Sequence, residues 1–453
     1  MSDTAKCLNS NSEFRYQYSW NSIPPKTKLY SIKGDEVIIL YPGTINLEEG
    51  PDFNSGMIIF NGQEMCGDIE IHNLPGDWTR HGHNKNKQYD NVILHVVAEI
   101  KTREFSTDDL IPDIPILLFP DQFLITDKYN TDNKYPYGYC SSLFSKISNK
   151  ELSFFFNDAG LQRFKEKSRL ITKEILSEGI EKTFLKYYFD ACGYKKNRDQ
   201  FLELLNRLFQ YDVTSMSKED IIAVLWGESD LLPDPNTNGL SLEIKEFVDR
   251  IWNVWWRLRK NKKDKIQWHF SSVRPLNNPC RRVAAVASLI SNYGISSFNI
   301  ILDQFLLGRY GITKWKDFKG YLICHDDLWD KYSDFLHPLS SNAAVLGEQR
   351  ALDIMVNVTL PLIYAYSCIH SLNEEQIKAT SILEALPGTQ TNIILKICIQ
   401  RWIIPIDRAK EVFKHGLTQQ GALHIYKKFC SPSNMNCSNC ELFLQLRKSL
   451  NIK

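Results

Sequence analysis

Residues 50–72 read GPDFNSGMIIFNGQEMCGDIEIH, and the folding of this stretch decides the fold of the N-terminal part of the chain. Gly50 and Pro51 make a turn between strands, and Asn61-Gly62 is the dipeptide of a two-residue hairpin. The runs on either side, FNSGMIIF and QEMCGDIEIH, therefore pair as strands. Side chains alternate along a strand with a period of two, so Asp68, Glu70 and His72 share one face and Ile69 and Ile71 the other. A half-exposed antiparallel strand gives the same pattern with its charges simply in water. The sharper reading comes from Asp52, which stands at a strand entrance where a carboxylate can face a cleft. Two hard oxygen donors on adjacent strands, Asp52 and Glu70, suit Mg2+ or Mn2+. His72, roughly 6.6 Å beyond Glu70 at about 3.3 Å per residue, would orient or deprotonate a water.

Downstream, NLPGDWTRHGHNKNKQYDNVILHVV adds His81, His83 and His95, so that four of the ten histidines lie within 24 residues. Asp77 and His81 are four apart and share a face if GDWTRH opens a helix, with Asp77 near its N-terminus. His95 lies inside the apolar run VILHVV, where a buried imidazole needs a partner; a satisfied core histidine is its plainer role.

Further strand signals, DEVIILYPG before this stretch and IPILLF after it, make residues 1–135 a β-rich domain. A polar connection rich in Asn, Tyr, Pro and Gly follows. From 145 to 453 the apolar spacing becomes helical, as in Phe154, Leu161, Phe164, Ile171 and Ile175, and no fixed repeat period emerges. The expected fold class is α+β, a mixed β-sheet domain followed by a large all-α region.

At 453 residues, 43% hydrophobic and 24% charged, the chain has material for more than one core and does not read as disordered. A net charge of +1 supplies no global field toward nucleic acid or membrane. The first residues lack the pattern of a signal peptide, and no run of about 18 apolar residues reads as a membrane span. The expectation is a cytoplasmic protein without a membrane partner. Eleven cysteines fit reduced thiols better than a disulfide framework.

Two features of the helical part carry chemistry. Between Arg257 and Arg282 stand nine basic residues and one acid, among them Arg257, Arg259, Lys260, Lys262, Lys263, Arg274, Arg281 and Arg282. Trp252, Trp255, Trp256, Trp268 and Phe270 are interleaved, so a nucleic-acid backbone would meet counter-charge and stacking surfaces together. The alternative is a solvated loop whose tryptophans belong to the core. Near the C-terminus, Cys430, Cys437 and Cys440 have C-x6-C-x2-C spacing, and His424 is the nearest fourth donor. This set would hold Zn2+ or an Fe–S cluster, the alternative being reduced thiols.

The runs PGTINLEEGPDF, GDIEIHNLPGDWTRHGH and YDNVILHVV, in that order, resemble the N-terminal signature of the uncharacterised bacterial proteins grouped as domain of unknown function 2851. The resemblance continues through GYKKN (193–197), RPLNNPCRR (274–282), LGEQR (346–350) and the cysteine-bearing end. It brings no activity with it. The signature carries an acid about three residues before the tyrosine, where this chain has Asn86 before Tyr89. A shorter likeness, PDF followed after a hairpin by EIH, is similar to the metal-binding pattern of restriction-endonuclease-like nucleases, with His72 at the lysine position. It implies Asp52 and Glu70 as ligands and His72 as an electrostatic helper, effective only when protonated.

Together these features give three functional expectations. The first is a metal-dependent phosphodiesterase acting on nucleic acid, with Asp52, Glu70, His72, Asp77, His81 and His83 as its catalytic residues. The second is a nucleic-acid- or protein-binding factor on a nuclease-like fold. The third is a metal hydrolase of a small substrate that uses His72, His81 and His83 with a carboxylate.

Overall fold

The computed structural model describes residues 13–21, 23–46, 50–100, 114–124, 138–194, 196–260, 264–270, 273–306, 315–389, 392–403, 407–432, 437 and 440–449. Two compact units divide the chain: Met1–Phe155 with Thr391–Val412 and Ala422–Lys453, and Phe156–Gln390 with Phe413–Gly421. The order of sheet first and helices after is the expected one, and the unit that holds the sheet also takes in two C-terminal segments.

The first unit opens with helix α1 (Glu13–Trp20) and a seven-stranded mixed sheet: β1 (Thr27–Tyr30), β2 (Glu36–Tyr41), β3 (Thr44–Ile45), β4 (Phe53–Phe60), β5 (Gln63–His72), β6 (Val92–Val97) and β7 (Ile116–Leu118). The strand order is β1-β2-β4-β5-β6-β7, with β3 on β4. A bridge between Ser31 and Leu117 brings the two ends together, so the sheet almost closes into a barrel. The β4–β5 hairpin turns at Asn61 (φ 49°) and Gly62 (φ 83°), the left-handed pair that matches the strand twist.

β5 then pairs with β6 in parallel, in the register Glu70 to His95 and His72 to Val97. Parallel neighbours need a crossover, and residues 73–91 make it, with the short helix α2 (Asp77–Arg80) inside. A crossover covers one face of its sheet, which is why Glu70 and His72 are buried on one side while Ile69 and Ile71 are buried on the other. The isoleucines join Phe53, Ile58, Leu94, Val96 and Trp20 in the sheet's core. Later in this unit, α3 (Cys140–Phe144) packs on helices Ile393–Trp402 and Glu441–Ser449.

The second unit is helical around one large core that includes Trp226 stacked on Trp329 at 4.8 Å, with Phe335 edge-on to both. Its helical stretch Glu348–Ile369 is long and apolar enough to span a bilayer by length and composition alone, and 67% of its most apolar window is buried. Within this stretch Met355–Thr359 is a π turn, just before Pro361. Proline lacks the N–H for the regular ladder and its ring crowds the carbonyl four residues back, so the widened turn has a local cause.

Candidate metal centre

The C-terminal end of β5 and the crossover that follows it build one cluster. Glu70 points Oε2 to the backbone N–H of Asp52 (2.9 Å) and Oε1 to His72 Nε2 (3.3 Å) and His83 Nε2 (3.4 Å). His72 Nε2 is the hub, 3.2 Å from His83 Nε2 and 3.3 Å from His81 Nδ1. The donor atoms of His72, His81 and His83 all lie within 4.8 Å of one another. The crossover achieves this through Gly82, whose left-handed φ of 76° reverses the chain after α2 and returns His83 over the strand. His83 is stacked on Tyr89 with ring centroids 3.8 Å apart, and Trp78 lies edge-on to it at 5.4 Å.

A second layer fixes these donors. His72 Nδ1 is 2.9 Å from His95 Nε2, which gives the buried His95 its partner. If His72 offers Nε2 to an ion, its proton is on Nδ1 and is donated to His95, so His95 carries its own proton on Nδ1. Asp52 lies beside the cluster with both oxygens engaged: Oδ2 accepts from the backbone N–H of Ile71 (2.9 Å) and Oδ1 from Gln17 Nε2 of α1 (2.6 Å). Asp77 is likewise committed. It accepts from the Leu74 N–H (3.1 Å) and pairs with Arg80 (2.6 Å), pinning the crossover. Asp68 accepts from the Ser55 N–H and the Asn91 amide on the outer part of β5.

Burial dominates the electrostatics. It pushes His72 down to about 2, His95 to about 3 and His83 to about 4, with neighbouring imidazoles adding to each shift, so all three rings are neutral near pH 7. Burial also raises Asp52 and Glu70, and the charge of Asp52 adds to the rise at Glu70. Neutral imidazoles and a carboxyl that ionises only against a penalty are the state of a site that a cation would relieve. Glu13 of α1 stands nearby, raised to about 7 by burial and by the charges of Asp52 and Asp77, against the opposing effect of Arg80.

Sequence reasoning missed Glu13 and Gln17, which lie in a short helix without a motif and reach the site only through the tertiary fold. His95 was legible as a buried imidazole, but its partner was not.

With this geometry in view, the comparison with known families is decisive on membership. The chain belongs to the DUF2851 family, described as proteins of unknown function, whose profile matches residues 15–392. No curated protein and no solved structure matches it. The GDIEIHNLPGDWTRHGH run, on which the family resemblance rests, supplies Glu70, His72, His81 and His83, so the cluster lies inside the matched region.

The basic segment of the second unit departs from expectation. Arg281 and Arg282, expected on nucleic acid, are buried. Arg281 donates to the carbonyls of Trp329, Tyr332, Ala343 and Ala344, and Arg282 to Val345 and Asn277. Each guanidinium satisfies backbone oxygens of an irregular segment and has no surface to offer. Arg257, Arg259, Lys260 and Arg274 are exposed, whereas Lys262 and Lys263 lie outside the described residues. Arg259 covers the Trp256 ring at 3.1 Å, and Lys260 lies over Tyr211 and donates to the Gln210 carbonyl. A cleft of about 810 Å3 beside them is lined by Trp252, Trp255, Arg259, Lys260 and Lys265, but also by Glu228 and Asp230, which oppose a polyanion.

In the tail, Cys430 and Cys440 are buried, Cys437 is half-buried and His424 is buried. None of the ten described cysteines is in a disulfide.

Proposed function

We propose that the first unit is a metal-dependent hydrolase whose ion is held by Glu70, His72, His81 and His83. One observation carries the reading: three imidazole nitrogens and a carboxylate oxygen converge around His72 Nε2, with His72 and His83 held by neighbouring side chains and His81 on the exposed side of the group. Three imidazoles with one carboxylate suit zinc or another first-row divalent ion better than magnesium, which prefers oxygen. Such an ion supplies Lewis acidity toward a substrate oxygen and lowers the pKa of water.

The chain's own groups do the rest. Glu13, which burial and the charges of Asp52 and Asp77 raise to about 7, would exchange a proton near neutral pH. Arg80, with 67% of its side chain exposed, offers a cation to an anionic substrate such as a phosphoester. His95 and Asp52 act through the ligands by orienting His72 and the end of β5. The reading with Asp52 and Glu70 as the two metal ligands has less support, because both Asp52 oxygens already accept hydrogen bonds. The binding-factor reading is weakened by the burial of Arg281 and Arg282.

The test is hydrolysis of chromogenic phosphoesters by metal-free protein to which zinc, manganese or cobalt is returned. The reading expects turnover that requires the ion and is lost in His83→Ala together with ion binding. Turnover unchanged by that substitution would defeat it.

A further inference from the structure

The second unit holds a cleft that the metal centre does not use. Trp252 and Trp255 are three residues apart on the helix Leu242–Leu258, so they share a side of it, and both line the cleft of about 810 Å3. Each ring is fixed from behind. Trp252 donates its Nε1–H to the Pro233 carbonyl, and Trp255 packs on the bare backbone of Gly227, where a methyl group would run into its ring. Arg259, Lys260 and Lys265 follow this helix and line the same cleft, and none of them pairs with a carboxylate among the described residues. Arg259 rests on the Trp256 ring, and Lys260 on Tyr211 and the Gln210 carbonyl, contacts that place the charges without neutralising them. The acids are in the opposite condition. Glu228 accepts from the Tyr211 hydroxyl (2.6 Å), and Asp230 Oδ2 accepts from Arg207 (3.0 Å) and from the Ile266 N–H (2.9 Å). Asp230 Oδ1 takes no hydrogen bond among the described residues.

We infer that this cleft binds a nucleoside diphosphate, with the base against Trp252 and Trp255 and the phosphates on Arg259, Lys260 and Lys265. The volume is that of a site for one small ligand, roughly 300–1,000 Å3. Indole walls held from behind give a base a stacking surface that needs no rearrangement. Three cations without counter-charges match a diphosphate, and a guanidinium and two ammonium groups bring donors to its oxygens. Asp230 Oδ1 accepts from an exocyclic amino group of the base, a contact that a bare diphosphate cannot make. The charges of Glu228 and Asp230 are met by Tyr211, Arg207 and Ile266, so they do not repel one nucleotide as they would a strand laid along the cleft. A strand also needs cations that continue, and the next arginines in that direction, Arg281 and Arg282, are buried on carbonyls. The cleft lies wholly in the second unit, and the inference does not depend on an ion in the first.

The test is calorimetric titration of the full-length chain with ADP and with GDP, in a chelator that keeps any ion of the first unit from capturing phosphate. The better of the two should bind about tenfold more tightly than its nucleoside and than inorganic pyrophosphate, because ring and phosphate contacts are both required. Saturation-transfer NMR of the wild-type chain should show the base protons, more than those of the ribose, against the protein. The double substitution Arg259→Ala and Lys265→Ala, at two exposed positions, should weaken the diphosphate about tenfold and leave the weak binding of the nucleoside unchanged. The wild-type comparisons need no variant, so misfolding of the double variant would not shelter the proposal. No binding of either diphosphate, pyrophosphate as tight as the nucleotide, an affinity unchanged in the double variant, or displacement of the nucleotide by a lower concentration of a single-stranded RNA oligomer would each overturn it.

Discussion

Asp52 and Glu70 are two buried carboxyls on neighbouring strands, separated by what their oxygens touch. Asp52 accepts from Ile71 N–H and Gln17, whereas Glu70 leaves Oε1 to the imidazoles. Burial raises Asp52, so an amide is close to an isostere of its protonated form. Asp52→Asn should therefore keep ion binding and cost about 1 kcal/mol of stability, the scale of one rearranged hydrogen bond. Glu70→Gln should weaken the ion at least tenfold in a calorimetric titration. The reverse ranking would return Asp52 to the ligand set. The same residues set a pH dependence. His72, His83 and His95 have folded values below the ordinary 6.5, so the unfolded chain binds more protons as pH falls below about 6.5, and the imidazoles then remove stability. Asp52, Glu70 and Glu13 are raised, so they remove stability as pH rises from about 4 through neutrality. The metal-free protein should accordingly melt lower at pH 8 than at pH 6. An ion that displaces the Glu70 proton binds more tightly at higher pH, so zinc should raise Tm more at pH 8 than at pH 6. A larger rise at pH 6 would contradict the assignment of Glu70 as a ligand.

At the scale of elements, the site depends on β5 and on the crossover it feeds. A methyl group placed on Gly82 would meet no atom within 4 Å, so Gly82→Ala tests the left-handed backbone alone. It should cost about 1 kcal/mol and weaken ion binding by displacing His83, as circular-dichroism melts and calorimetry would report. Unchanged affinity would mean that His83 is not held by this turn. Ile71, fully buried between Glu70 and His72, anchors the same strand to the core. Ile71→Ala should cost about 2–5 kcal/mol in denaturant unfolding, and a loss below about 1 kcal/mol would mean that the strand end is not anchored there.

Across the whole molecule, what could be read from sequence was local. Asn61-Gly62 fixes a hairpin and alternation puts Glu70 and His72 on one face, because both effects act over a few residues. The parallel pairing of β5 with β6 is a long-range choice, and the half-exposed strand that alternation suggests became a strand whose last four residues are buried on both faces. Charge along a helix was misleading at Arg281 and Arg282, since sequence does not reveal which carbonyls a guanidinium will reach. The two compact units likewise depend on which late segments return to the first unit, a question of packing that composition does not touch.

The central claim is that a histidine and carboxylate set in the first unit holds a transition ion. The most direct measurement is zinc-edge X-ray absorption of the full chain loaded with one equivalent of zinc. The account predicts a first shell of nitrogen and oxygen at about 2.0–2.2 Å with the outer-shell scattering of three imidazoles, reduced by one imidazole or lost in His72→Ala. A sulfur-dominated shell, or a spectrum and affinity unchanged in His72→Ala, would contradict it.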